Sequence, residues 1–195
     1  MKKFKFGINS KTELIKERRF LMDKTSMKLD VPYYSQRLDV RRKFWKSRSC
    51  GVVALKMAMD YLGQSKKNYH RKFADDLINK GVSFGGHSLE HGWYHDALLR
   101  IAKKRGFKKS FRKEWPENKK EKGVKFILGL LIQEVPVLAS LKIGQSGHLV
   151  LLTGFTDKGF FYHDPNSKIR SKGKYKFKSF KNFLPKWKGR IVVVK

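Results

Sequence analysis

Apolar positions change their period part-way along the chain. From Cys50 to Leu62, residues Ala54, Leu55, Ala58, Met59 and Leu62 recur at three- and four-residue steps, which is one face of a helix. Ser47 or Ser49 can cap that helix and Gly63 can end it. The same reading predicts helices near Arg71 to Asn79, ended by Gly81, near Leu89 to Lys104, closed by Gly106, and near Lys120 to Glu134, stopped ahead of Pro136. Beyond Pro136, Val137 to Ile143, His148 to Phe155 and Phe160 to His163 are short apolar or alternating runs broken by Gly and Asp, and they predict strands. Lys174 to Lys178 alternates strictly, which turns its aromatics inward and its lysines to water. A short helix over Ser179 to Leu184 and a strand over Arg190 to Val194 complete the pattern. Helices followed by strands predict an α+β fold with an antiparallel sheet. Upstream, Asp30 to Gln36 reads as extended, because Pro32 disfavours helix for the residue before it. Residues 1–29 read as a basic extension with a short helix near Thr12 to Met22, and residues 30–195 as the folded domain.

Composition narrows the class. At 195 residues and 40% hydrophobic content the chain suits one domain with a real core, which excludes a wholly disordered basic tail. No apolar run approaches the ~18 residues that suggest a membrane-spanning helix. The first residues have the charge of a signal peptide but no apolar stretch after them, so the reading is cytoplasmic. One cysteine, Cys50, excludes an intrachain disulfide and a Cys-rich zinc site. The 46 Lys plus Arg against 16 Asp plus Glu give a net charge of +30. Residues 168–195 carry eleven basic residues and no acidic one. Such an excess attracts polyanions without a designed site, so partners include non-specific nucleic acid or anionic surfaces. The dominance of Lys over Arg argues against base readout.

Placement gives Cys50 its interest. It starts the clearest helix, where free N–H groups and the positive end of the helix dipole favour a thiolate, and Lys46 and Arg48 lie close in sequence. A nucleophilic thiol needs a base. Among six histidines, His148 opens an otherwise apolar strand, where an imidazole needs a partner. Asp164 and Asn166 follow the next strand and are both placed to return beside it; a plain turn also accounts for Asp164-Pro165. An oxyanion needs donors, and the backbone N–H of Cys50 and the side-chain amide of Gln36 are candidates. A separate motif, His87-Ser88-Leu89-Glu90-His91, matches HxxEH, and on a helix His87, His91 and His95 would share a face suited to zinc; Gly85, Gly86 and Gly92 weaken that helix.

Taken together, Pro32-Tyr33-Tyr34-Ser35-Gln36, then Cys50-Gly51 with Ala54-Leu55, Met57, Tyr61, Leu62 and Gly63, then Gly147-His148-Leu149-Val150 and Asp164-Pro165, resemble the papain-like peptidases related to bacteriocin-leader processing domains. The resemblance spans roughly residues 30–195. It implies a papain-like α+β fold and a cysteine peptidase acting on peptide or protein substrates, without metal or cofactor. In that reading Cys50 is the nucleophile, His148 the general base and acid, Asp164 the orienting residue and Gln36 the oxyanion donor. Two other functions fit the same residues: an acyl transferase or deamidase using the same triad, and an idle basic module that binds nucleic acid or anionic surfaces.

Overall fold

The computed structural model describes residues 26–64, 70–143 and 146–195, so the helix expected near Thr12 to Met22 lies outside the described residues. Four longer helices come from the first two-thirds of the chain: α1 (Cys50–Gly63), α2 (Ala74–Val82), α3 (His95–Lys104) and α4 (Lys120–Ile132). Two one-turn helices follow, α5 (Arg170–Gly173) and α6 (Phe180–Phe183). The strands are β1 (Ser26–Lys28), β2 (His87–Ser88), β3 (Gly92–Trp93), β4 (Phe111–Glu114), β5 (Val137–Ile143), β6 (Ser146–Thr156), β7 (Gly159–His163), β8 (Lys176–Ser179) and β9 (Trp187–Val193). Among the described residues, seven of them form one antiparallel sheet in the order β4-β9-β5-β6-β7-β8, with β1 pairing on β6, while β2 and β3 form a separate hairpin. This is the α+β class with an antiparallel sheet that the change of period predicts.

Helix α1 is more central than its periodicity suggests. Every residue from Gly51 to Asp60 is buried, because the helix packs on β5 and β6 and also against α2 and α3. Two of those buried residues are charged, and they pair with each other: Lys56 Nζ lies 2.6 Å from Asp60 Oδ2 and 4.2 Å from the ring centre of Tyr34. Strand β5 is buried over its first five residues, so both of its faces are covered. Trp187 anchors the far end of the core, stacked on Phe183 and packed against Trp115.

Several local expectations differ from the structure; α2, for one, starts at Ala74 and contains Gly81. Ser49 sits at the N-cap of α1 but its hydroxyl donates to the Trp45 carbonyl at 2.8 Å, and Gly63 belongs to the helix rather than following it. Helix α4 ends two residues early, because Glu134 takes φ 61° and the N–H groups of Glu134 and Val135 turn back to the Leu131 and Leu130 carbonyls. The helix expected from Leu89 starts only at His95; Gly92, at φ 73°, instead turns the preceding residues into the β2–β3 hairpin. The alternation of Lys174 to Lys178 also breaks. Tyr175 has φ 51°, β8 starts at Lys176, and Phe177 is 46% exposed on this edge strand. The register sets Lys176 and Lys178 opposite the buried Tyr162 and Phe160, and Lys176 Nζ reaches Asp164 Oδ2 at 3.1 Å while its side chain stays 40% exposed.

Candidate active site

Cys50 is the first residue of α1, and the close seating of that helix on β6 brings its thiol to His148. The seating depends on Gly51: a Cβ there would stand 2.9 Å from Leu149 Cδ1 and 3.1 Å from Trp93 Cβ. Trp93 also donates its indole N–H to the Arg48 carbonyl at 2.8 Å, fixing the chain just ahead of the helix. His148 is the third residue of β6 and pairs across to Leu141 on β5. Its side chain is 8% exposed and has two partners: Nε2 lies 2.8 Å from Asp164 Oδ1, and the ring interacts with the Cys50 thiol. Since Nε2 is taken by the carboxylate, Nδ1 is the nitrogen left for sulfur.

Asp164 follows directly on β7, which folds back along β6, so the hairpin returns it beside His148. Its backbone is fixed on both sides. The Asp164 N–H donates to the Gly173 carbonyl at 2.9 Å, and the Tyr33 hydroxyl donates to the Asp164 carbonyl at 2.8 Å. Its carboxylate accepts from His148, from the Asn166 N–H at 3.0 Å and from Lys176 Nζ at 3.1 Å. Asn166, the other candidate orienter, does not reach His148 by any of its hydrogen bonds; its Oδ1 accepts from Gln36 Nε2 at 3.1 Å and from Arg37 Nε at 2.7 Å. Gln36 is 1% exposed. Its second amide hydrogen goes to the Lys46 carbonyl at 3.1 Å, which fixes the orientation of the amide, and its Oε1 has no hydrogen-bond partner among the described residues.

The electrostatics follow from these contacts. Burial pushes the Cys50 thiol up, but the hydrogen bond and charge of His148, with the Leu149 and Gly51 N–H groups, outweigh it and leave the thiol below its ordinary range. Burial opposes charge on His148 too. The hydrogen bonds to Asp164 and Cys50 overcome that and raise the imidazole to about 9. Asp164 resists its own burial because His148, the Asn166 N–H and Lys176 hold its carboxyl far below the usual carboxylate range. All three directions favour one state, a thiolate–imidazolium pair beside an ionised carboxylate. Arg48 has no part in it: its guanidinium is hydrogen-bonded to the Phe44 carbonyl and Ser47 and lies 4.4 Å from the Phe44 ring centre.

Sequence reasoning singled out Cys50, His148, Asp164 and Gln36; the fold brings Cys50, His148 and Asp164 next to one another, while Gln36 is held by the Lys46 carbonyl and by Asn166, two residues beyond Asp164. It missed Lys176 and Tyr33 as supports for Asp164. The alternating pattern pointed Lys176 to water, while Tyr33 stood inside a quoted motif whose backbone task no pattern reveals. The three histidines of the HxxEH segment do not converge. His87 packs on Trp45 and Trp93, His91 is exposed beside Glu90, and His95 Nε2 lies 2.9 Å from Ser140 Oγ. Among the described residues no group of three or more His, Cys, Asp or Glu is arranged to hold a metal ion.

A profile of the Peptidase_C39-like family matches residues 28–190, taking in every residue of this site. The chain belongs to that family. No curated protein sequence matches it. Among solved structures, a C39-like peptidase from Bacillus anthracis superimposes with a TM-score of 0.62 at 16% identity, covering 87% of this chain and 98% of that one. The peptidase domain of Streptococcus ComA, a bifunctional ABC transporter of a quorum-sensing pathway, does so with a TM-score of 0.52 at 15% identity, covering 75% of this chain and 90% of that one. At such identities the likeness is one of fold: these are C39 peptidase folds, which are papain-like. Among the described residues no helix is long and apolar enough to cross a membrane.

Proposed function

We propose that the protein is a cysteine peptidase in which Cys50, His148 and Asp164 are the triad and Gln36 serves the oxyanion. The observation that carries this reading is the position of His148, whose Nε2 lies 2.8 Å from Asp164 Oδ1 and whose ring stabilises the Cys50 thiolate. The Cys50 thiolate attacks the carbonyl carbon of a peptide bond, and the C=O electron pair moves onto oxygen. The backbone N–H of Cys50, without a partner inside its helix, and Gln36 Nε2 stabilise that oxyanion. Gln36 meets it by exchanging its exposed acceptor, Asn166 Oδ1, while the Lys46 carbonyl keeps the amide in place. As the C–N bond breaks, the imidazolium gives its Nδ1 proton to the departing amine, leaving a thioester on Cys50. Neutral His148 then takes a proton from water as its oxygen adds to the thioester carbon; the C–S bond breaks, releasing the carboxylic acid and restoring the Cys50 thiolate and the His148 imidazolium.

The test is a complex peptide mixture incubated with the wild-type protein and with Cys50→Ala, with new N-termini read by mass spectrometry. New N-termini with the wild type and none with Cys50→Ala are expected. An equal set with both proteins overturns the reading, and so does ammonia release from glutamine without chain cleavage.

A further inference from the structure

A groove of ≈ 520 Å³ opens beside the site, lined by Arg37, Leu38, Lys43, Lys46, Ser47 and Lys168. Four of these six residues are cationic and none is acidic. The groove borders Gln36 and Asn166. Arg37 follows Gln36 and donates from Nε to Asn166 Oδ1, Lys46 supplies the carbonyl that holds Gln36 Nε2, and Lys168 lies two residues beyond Asn166. A substrate threaded past Cys50 on the side of Gln36 and Asn166 would run into it.

Nearby cations have acidic partners: Arg42 pairs with Asp75, and Arg170 with both oxygens of Asp39. Among the described residues Arg37, Lys43, Lys46 and Lys168 take part in no ion pair. A cleft lined by one sign of charge focuses its potential on what enters, here toward an anion. Three of the four cations are lysines, hydrated point charges on flexible stems, which suit mobile carboxylates better than a fixed bidentate clamp for phosphate. No aromatic side chain lines the groove, so it offers no platform for a nucleic-acid base. Leu38, 46% exposed, adds an apolar contact within the basic rim.

We propose that this groove binds an acidic stretch of the peptide substrate on one side of the scissile bond, so that the protein selects Asp- and Glu-rich substrates; the proposal rests on the peptidase reading above. Its test has a binding arm and a cleavage arm. In the first, a fluorescein-labelled peptide containing six consecutive glutamates is titrated by fluorescence anisotropy onto Cys50→Ala. The same titration is made with Lys43→Glu and Lys168→Glu added. As a control, Lys122→Glu and Lys125→Glu on exposed positions of α4 change the net charge by the same amount. The groove pair is expected to weaken binding about tenfold, the sum of a few surface-strength ion pairs, and the control pair less than twofold. Equal weakening by both pairs, or no binding to Cys50→Ala at all, overturns the proposal. So does an equal loss toward a duplex DNA of matched charge, which would assign the groove to nucleic acid. In the second arm, the wild-type cleavage sites in a peptide mixture are expected to be enriched in Asp and Glu on one side only, with the enrichment lost in the groove pair. Cys50-dependent cleavage without that enrichment overturns the groove and leaves the peptidase standing. Absence of cleavage overturns the peptidase, while the binding arm still decides whether the groove takes an acidic peptide.

Discussion

His148 touches both of its partners through one ring, so a change on either side of it has a distinct signature. Asp164→Asn keeps the shape of the carboxylate but removes the charge that favours imidazolium and fixes the tautomer. In the proposed triad it lowers kcat by up to ~10⁴, the scale of the corresponding loss in a serine protease. Asn166→Ala leaves the contact between His148 and Asp164 in place and costs far less. Comparable kcat values for the two variants, measured on one peptide, would remove Asp164 from the catalytic set. In the proposed mechanism Gln36→Ala acts only where an oxyanion forms. It is expected to reduce kcat by roughly 10²–10³ while leaving iodoacetamide alkylation of Cys50 unchanged, since alkylation builds no oxyanion. Loss of alkylation as well would make Gln36 a structural residue that ties its segment to Lys46 and Asn166. The support for Asp164 at this scale was the least legible in the sequence. Lys176 stands in an alternating run that reads as solvent-facing, and only the fold brings the carboxylate to its ammonium.

At the scale of elements, the site is a product of how α1 meets β6. Gly51 lets the first turn of the helix rest on Leu149, the neighbour of His148, with Leu98 Cδ1 also only 3.2 Å from where a Cβ would stand. Gly51→Ala therefore overpacks a closed contact, which typically costs about 1–3 kcal/mol, and pushes Cys50 away from His148. A melting temperature lower by about 2–4 °C per kcal/mol and a cleavage rate reduced at least tenfold are expected, read by calorimetry and a peptide assay. Unchanged activity would show that the helix has slack at its start. Helix α1, α4 and strands β5 to β7 were legible because long periodic runs bounded by Gly and Pro leave little choice of element. The β2–β3 hairpin was not, since two-residue strands carry no period and Gly92 takes its left-handed turn inside what reads as a helix. That turn also scatters the histidines of the HxxEH segment, which looks like a zinc motif only while it is imagined as helical.

The molecule as a whole combines a conventional apolar core with a net charge of +30, and the two are legible by different means. Composition announces the charge but not its arrangement; the concentration of unpaired lysines beside Gln36 appears only when distant segments of chain meet. The order of elements announces an α+β fold, and the gathering of Cys50, His148 and Asp164 at its centre follows from the β6–β7 hairpin and the seating of α1. The central claim is that these residues hold a thiolate–imidazolium pair. Its signs are fixed by the surroundings: the thiol is lowered by His148 and the imidazole raised to about 9, so the pair exists between the two titrations and is lost below the first and above the second. Peptide cleavage should accordingly decline on the alkaline side near pH 9, where the proton for the leaving amine is lost. The most direct measurement is the rate of Cys50 alkylation by iodoacetamide from pH 5 to 9 in the wild type and in His148→Ala. The account predicts that the wild type alkylates faster at the acid end of this range than a free thiol of pKa about 8.5, the rise of its rate with pH falling at lower pH than the free thiol's, and a return to the free-thiol profile in His148→Ala. A wild-type rate that follows free cysteine across the whole range would contradict it.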